Sequence, residues 1–579
     1  MSEWASGYVS DIEYISGFYA EQAPAELDLT ALICGVEPPR RLGETQGFDY
    51  CEIGCGTGST IAALAAANPE GRFVGIDFMP AHIARAEALR AAAGLDNLRL
   101  IEADVAGLAD RAQTDLPMFD YVTLHGVYSW VAPHVRAGIV RFLARHLRPG
   151  GLVYVSYNVL PGWHAMIPMQ KLLFEIAARV DGDSIARARA GSDFIERCVQ
   201  AGAPMLGKES FQQQMARSPT AQLAVERDSY LAHEFLNANW QPMYHMDLAK
   251  DLADAKLVHV GSAKLVENFA GVGLSPEAAG VLDTMPDGPL RETVKDYFNG
   301  RIFRRDVFVR GRRGIDPIQR EMRLAAVRLV TTAPPPAKDH EASVLGSTLT
   351  LHHAAYAPLF KRMAEDVPTV DDLVALSRAH GRPMSGTEIL GMLAGLKLAT
   401  PVQRDVTGEG VEACRRHNRA VAEAAFRSTR QMRHALAVPV GHGGQALSPL
   451  EIALLDGLFA GLPPEPDRLA AHILQRAQVD PDEIRDDSGT ALGVGGKVAP
   501  GEDGTGEDGA GEDGAQTPRG PADDLSQPMG VRVRAAVEIS LREQVPGWVR
   551  LGVLSAEEAG AFARGQPGEG DGVVRPPPG

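Results

Sequence analysis

From residue 48 the chain alternates short apolar runs with helical periods, and this alternation constrains its fold more than any other feature. "FDYCEIG", a helix around Ile61 to Ala67, "RFVGID", a helix from Pro80 to Ala93, "LRLIEAD" and "FDYVTLHG" follow at strand–helix–strand spacing. A further helix over Pro133 to Leu147 carries Val135, Ile139, Phe142 and Leu143 on one side, stops at "RPGG" and leads into "LVYVSYN". Repeated units of this length predict an α/β fold, a parallel sheet covered on both faces.

The alternation breaks after residue 163, so 1–163 is assigned to a nucleotide-type sheet core and 164–243 to a helical insertion. A helix at Met246 to Ala255, the strand "KLVHVGSA" and the strand "RIFRRDVFVRG" place the end of the sheet in 244–312. Beyond the linker "TTAPPPAKDHE", two helices and a strand suggest a winged-helix-like domain over 313–480; Ser385-Gly386-Thr387-Glu388 announces the second helix as a capping box. It lacks a dense Lys/Arg face, so packing or dimerisation is the preferred reading and no nucleic-acid partner is expected. Residues 481–528 carry a Gly-Glu-Asp-Gly repeat, too polar and glycine-rich to bury anything, and read as a disordered loop. Helical periodicity returns over 529–579.

With 579 residues there is ample core for several domains. No uncharged apolar run is long enough to span a bilayer, and Glu3, Asp11 and Glu13 stand where a signal peptide needs a basic start, so the expected location is the cytoplasm. Five cysteines without C-x-x-C pairing give no disulfide framework and no zinc site; no metal is expected. A net charge of −17 repels phosphate backbones.

The first strand runs into "CEIGCGTG", with Gly54, Gly56 and Gly58 following Glu52 and flanking Cys55. A dinucleotide fingerprint needs G-x-G-x-x-G, one residue longer. NAD remains the physical rival, because an acidic second-strand end holds its ribose equally well. The G-x-G-x-G order resembles the first motif of the class I S-adenosylmethionine-dependent methyltransferases. Glycines there let the turn pass close under the amino-acid end of the ligand, where backbone amides meet its carboxylate. "RFVGIDFMP" ends in Asp77, placed to accept both ribose hydroxyls, with Phe78 beside the adenine. "LIEADV" ends in Asp104, a partner for the adenine amino group, with Val105 packing on the ring. His125 and Gly126 close the set at the end of the fourth strand.

On the acceptor side, "HGVYSWV" and "YVSYNVLPGWH" deliver His125, Tyr128, Trp130, Tyr157, Asn158 and Trp163 to the carboxyl edge. These runs, with "YLAHEFLN", resemble the bacterial methyltransferases that carry a methyltransferase regulatory domain, a group that includes rickettsial enzymes methylating lysines of outer-membrane proteins. The resemblance implies a Rossmann-like class I sheet, S-adenosyl-L-methionine as cofactor, and methyl transfer to nitrogen, with the ε-amine of a protein lysine as acceptor. Tyr128, Trp130, Tyr157 and Trp163 would then form an aromatic channel that desolvates the ammonium and favours the neutral amine, and Asn158 would offer it a carbonyl. His125 is the candidate general base by position. His233 and Glu234 read as a polar contact between insertion and sheet, since H-E-x-x-N is not a zinc-protease motif. Tyr8, Tyr14, Phe18 and Tyr19 precede the first strand, either as a lid or as a packed amphipathic helix. A small-molecule methyltransferase and a non-catalytic cofactor-binding regulator are the alternatives; a homodimer is possible in each case.

Overall fold

Strands rich in Val, Ile and aromatic residues, buried on both faces, need helices above and below them. The structure, a computed structural model, describes residues 11, 17–43, 46–111, 114–206, 227–269, 271–332, 335–402, 408–425, 434–441, 443–476, 529–560 and 562. Its strands β1 (Asp49–Ile53), β2 (Arg72–Asp77), β3 (Leu98–Glu102), β4 (Phe119–Leu124) and β5 (Leu147–Asn158) alternate with helices α2 (Ser59–Ala67), α3 (Pro80–Ala93), α4 (Val105–Asp110) and α5 (Pro133–His146). Helix α1 (Pro24–Ile33) precedes them.

Two later strands, β6 (Leu257–Ser262) and β7 (Phe303–Arg310), complete a seven-stranded sheet of order β3-β2-β1-β4-β5-β7-β6. The first five strands pair in parallel, while β7 lies antiparallel between β5 and β6. One face packs Tyr50, Tyr121 and Tyr154 against α1 and the alanine-rich α2; the other packs Cys51, Ile53 and Tyr157 against α4 and α5. Neighbouring residues of β1 thus face opposite layers, as the two-residue strand period requires. The expected return of the sheet after the insertion is present.

The insertion holds α6 (Met166–Ala177), α7 (Ser184–Gln200) and α8 (Arg227–Phe235). They share a core of Trp163, Leu173, Ala188, Ile195, Leu231 and Phe235. Helices α9 (His245–Ala253), α10 (Pro276–Leu282) and α11 (Pro289–Asn299) flank the returning strands.

The chain divides into two compact units: residues 1–420, 435–446 and 551–553 form the first, and residues 421–434, 447–550 and 554–579 the second. The division does not coincide with the boundary drawn at residue 313 from the sequence. In the first unit, Leu324, Leu359, Phe360, Leu373 and Leu390 pack with Leu29 and Leu32 of α1 into one core. The expected two helices and strand appear as Val370–Ala379, Gly386–Leu393 and Ala399–Val402, the last pairing antiparallel with Arg328–Thr331. Ser385 Oγ accepts the Glu388 N–H at 3.1 Å, half of the expected capping box. A complete box sits one helix earlier, between Thr369 and Asp372.

The second unit packs helices Pro449–Phe459, Pro466–Arg476, Met529–Glu543 and Val545–Arg550 around Leu454, Ile473, Val537, Leu541 and Trp548. The Gly-Glu-Asp-Gly repeat lies outside the described residues, as do Tyr8 and Tyr14. Among the described residues, no helix is long and apolar enough to cross a membrane.

Candidate functional site

At the carboxyl ends of the parallel strands the chain must turn sharply from β1 into α2. Gly54, Gly56 and Gly58 take φ of +73°, +54° and +78°. Gly58 caps α2 in the left-handed region, and a Cβ there would stand 2.7 Å from Ala86 Cβ of α3. Gly56 has nothing within 4 Å of a hypothetical Cβ, so its backbone stands open towards the cleft. Cys55, beside it, is buried in the core against α2.

Asp77 ties this turn to the next strand. One carboxylate oxygen accepts the Gly56 N–H at 2.9 Å and the other accepts the Met79 N–H at 2.9 Å. His82 Nδ1 lies 3.3 Å from Asp77 Oδ1. A carboxylate offers about four lone-pair sites, so these bonds leave acceptor capacity for further donors. The sequence pointed to Asp77 as a ligand; its fixing of the glycine turn, and the part of His82, carry no local signal.

Asp104 accepts the N–H groups of Ala106 and Gly107 at 3.1 and 3.2 Å as the cap of α4. With Asp77, Phe78, Val105, Gly54 and Gly56, it lines one cleft, which His125, Gly126 and Trp130 border on the other side. Glu52 lies just beneath the turn, 4% exposed. Burial pushes its carboxyl up to about 8, with the nearby Gln22 amide working in the opposite direction.

The aromatic residues expected to form one channel are separated. Trp130 borders the cleft, but Tyr128 is buried in the core and donates its hydroxyl to Asp251 Oδ2 at 3.2 Å. Tyr157 is fully buried and donates to Asp306 Oδ2 at 2.7 Å. Trp163 belongs to the insertion core, its indole N–H donating to the Ile302 carbonyl at 2.6 Å. Placing Tyr128, Tyr157 and Trp163 in a channel is thus corrected. Each hydroxyl or indole N–H found a buried partner, the usual condition for burying Tyr and Trp in a core.

Asn158, also buried, donates its backbone N–H to Ser129 Oγ at 2.9 Å. Its side chain and that of Trp130 face the buried carboxyl of Glu234, which burial pushes up to about 8 against their influence. Glu234 therefore joins α8 to the sheet edge, as the polar contact expected of it. The runs "YSW", "SYN" and "HEFLN" meet at this point.

His125 receives the Tyr154 hydroxyl at 2.8 Å from Nδ1 and stacks on Tyr19, with ring centroids 3.5 Å apart. Burial, aided by the Arg305 cation, holds its pKa down at about 3, while Glu21 opposes the shift. The imidazole is accordingly neutral at physiological pH and a feeble base, which weakens the general-base assignment. Tyr19 belongs to the N-terminal segment, whose Gly17 carbonyl accepts Thr60 Oγ1 at 3.2 Å.

His245, His259 and Asp306 bring ligand-type atoms within 4.8 Å of one another. Asp306 is already engaged by Arg304 at 3.1 Å and by Tyr157, and a guanidinium at that distance repels a cation.

This sheet order, with a G-x-G-x-G turn after β1 and an acidic end to β2, defines the class I methyltransferase fold. Residues 51–153 match the family described as a methyltransferase domain, and residues 227–310 match the predicted methyltransferase regulatory domain. The chain is 31% identical to the uncharacterized protein sll1526 of Synechocystis, over 78% of this chain and 87% of that one. It is 25% identical to the uncharacterized protein RP789 of Rickettsia prowazekii, over 51% of each chain. Its fold is similar to that of PKMT2 from Rickettsia typhi, solved in complex with AdoHcy: TM-score 0.59 at 18% identity, covering 91% of this chain and 98% of that one.

The chain belongs to the class I methyltransferases that carry a methyltransferase regulatory domain. S-adenosyl-L-methionine is the cofactor of that class.

Proposed function

We propose that this protein transfers the methyl group of S-adenosyl-L-methionine to a nitrogen, the ε-amine of a lysine in a protein substrate. The observation that carries the reading is the cleft itself: the open backbone at Gly56, the Asp77 carboxylate and the Asp104–Val105 corner on one side, with Trp130 and a neutral His125 on the other. In this reading Asp77 holds the ribose hydroxyls, Phe78 and Val105 pack on the adenine, Asp104 marks its amino group, and the amides around Gly54 and Gly56 receive the amino-acid end.

The transfer is an in-line displacement, so the protein's work is alignment of a neutral amine and exclusion of water. A lysine ammonium loses its proton more readily on leaving water. Trp130, backed by Glu234 and Asn158, supplies an apolar face with a fixed edge at the place the amine enters. The similarity of "HGVYSWV", "YVSYNVLPGWH" and "YLAHEFLN" to enzymes that methylate protein lysines supports the choice of acceptor. The winged-helix-like segment, which shares its core with α1, is read as a packing module, and the 227–310 segment as the part that shapes acceptor access.

Incubation with methyl-labelled S-adenosyl-L-methionine and lysate, followed by hydrolysis and amino-acid analysis, is expected to give labelled methyl-lysine in protein. Label confined to small molecules would move the acceptor class; cofactor binding without any transfer would favour a regulatory role.

A further inference from the structure

Trp130 borders the cleft from the short turn between β4 and α5, and a side chain on such a turn is held in place only if its neighbours are tied down. Both neighbours are. The Ser129 carbonyl accepts the Gln241 N–H at 2.8 Å, and Ser129 Oγ accepts the Asn158 N–H at 2.9 Å. The Val131 carbonyl accepts from Arg136 Nη1 at 3.2 Å, while Arg136 Nη2 donates to Gln241 Oε1 at 2.6 Å. Gln241 stands in the segment 227–310 that matches the regulatory domain, two residues before Met243. The Met243 N–H donates to the Asn158 carbonyl at 3.1 Å, and its own carbonyl accepts the Leu160 N–H at 3.0 Å. Glu234, from the same segment, faces the Trp130 side chain.

Stability does not account for Arg136. It is 9% exposed and lies in the opening turn of α5, where the helix dipole disfavours a cation. A guanidinium taken out of water is costly unless a carboxylate pairs it, yet Arg136 forms no ion pair among the described residues, and its partners are two neutral oxygens. An apolar side chain of similar length would serve packing as well. What the guanidinium adds is geometry: its planar fork reaches two acceptors at once, one beside Trp130 and one on the regulatory segment.

We propose that Arg136 is a positioning residue for methyl transfer: by tying Val131 to Gln241 it lets the regulatory segment fix Trp130 at the edge of the cleft. The proposal rests on the reading of Trp130 as the wall along which the acceptor amine enters. A displacement of the segment is carried through Gln241 and Arg136 to the turn that bears the indole. An in-line displacement is sensitive to such shifts, since a misplacement of about 1 Å costs roughly a hundredfold in rate.

The test uses the full chain, with methyl-labelled S-adenosyl-L-methionine and lysate protein for transfer and S-adenosyl-L-homocysteine calorimetry for cofactor affinity. Acrylamide quenching of the Trp130 emission, taken as parent minus Trp130→Phe, reports on the indole itself. Arg136→Met keeps the length of the stem and removes every donor. The expected result is a roughly tenfold loss of transfer at saturating cofactor and a roughly twofold rise in Trp130 quenching, with S-adenosyl-L-homocysteine affinity within about twofold of the parent. Gln241→Leu, at an exposed position, should lower transfer about threefold, and Gln241→Glu, which keeps an acceptor for Arg136, should transfer faster than Gln241→Leu. The double variant Arg136→Met, Gln241→Leu should be no slower than Arg136→Met alone, because both changes break one link.

Parent-like transfer and quenching in Arg136→Met overturn the proposal. Losses that multiply in the double variant overturn it too, since the two residues then act separately. A fall in cofactor affinity as large as the fall in transfer also overturns it, by showing general damage to the cleft. A parent that labels no protein overturns the proposed function instead, and the quenching data alone then decide the Arg136–Gln241 link.

Discussion

Two parts of the same sheet bury carboxyl groups and hold them in opposite protonation states. At the β5–β7–β6 end, Arg304 is 1% exposed and meets Asp296, Asp306 and Glu292. Tyr157 and His245 complete the set around Asp306. At the β1–β4 end, Glu52 is equally buried, with the amide of the fully buried Gln22 beside it. The ion-paired cluster holds the antiparallel β7 in its slot between β5 and β6. The acid beside an amide is kept protonated instead. The pKa shifts follow the same division: the Arg304 guanidinium holds Glu292 down at about 2 and Asp306 well below the carboxylate range, whereas burial pushes Glu52 up to about 8.

The largest expected effect strikes the ion-paired end. Arg304→Met takes the nearest cation from the buried Asp296 and Asp306 carboxylates and should cost about 3–5 kcal/mol, seen as a lower first thermal transition by calorimetry. An unchanged transition would show that the network is dispensable and the contrast empty. At the glycine-turn end, Asp77→Ala removes the proposed ribose acceptor and the tie to the Gly56 N–H, and should lower S-adenosyl-L-homocysteine affinity roughly a hundredfold or more while the melting temperature changes less than for Arg304→Met. Retained affinity would break the ribose assignment.

The pH dependence sharpens the contrast further. The raised pKa of Glu52 contributes stability that is complete below its unfolded value of about 4.3 and is lost as pH rises through about 8. Glu292 and Asp306, with depressed values, contribute stability that is present above their unfolded values of about 4.3 and about 3.9 and lost on acidification. Thermal transitions of the unliganded protein at pH 5 and pH 8 should therefore converge in Glu52→Gln relative to the parent; an identical pH slope would remove Glu52 from the account. The smallest effect separates two aromatic residues of one run. Tyr128→Phe should cost about 1 kcal/mol through the lost bond to Asp251 and leave methyl transfer intact, whereas Trp130→Ala should lower transfer more than cofactor affinity. The reverse outcome would restore Tyr128 to the acceptor side.

Much of the cofactor half was legible in the chain. The turn at Gly54–Gly58 is a local matter of φ, and Asp77 and Asp104 stand at strand ends whose positions follow from a period of two and a short loop. The acceptor half was only partly legible. Tyr128, Trp130, Tyr157 and Trp163 share residue type and neighbourhood, yet just one of the four borders the cleft. Nothing local distinguishes a tyrosine whose hydroxyl will find Asp251 or Asp306 from one that faces a ligand.

By itself the sequence determined the strand–helix alternation, the glycine turn, and the acidic residues at the ends of β2 and β3, because each depends on residues within a few positions of one another. Only the tertiary structure decided that β7 lies antiparallel between β5 and β6, that Glu234 reaches Trp130 and Asn158, and that the Gln22 amide is buried beside Glu52. Those outcomes rest on which buried polar groups meet across long stretches of chain. A group's partner, or its lack of one, is fixed only when packing has excluded water around it.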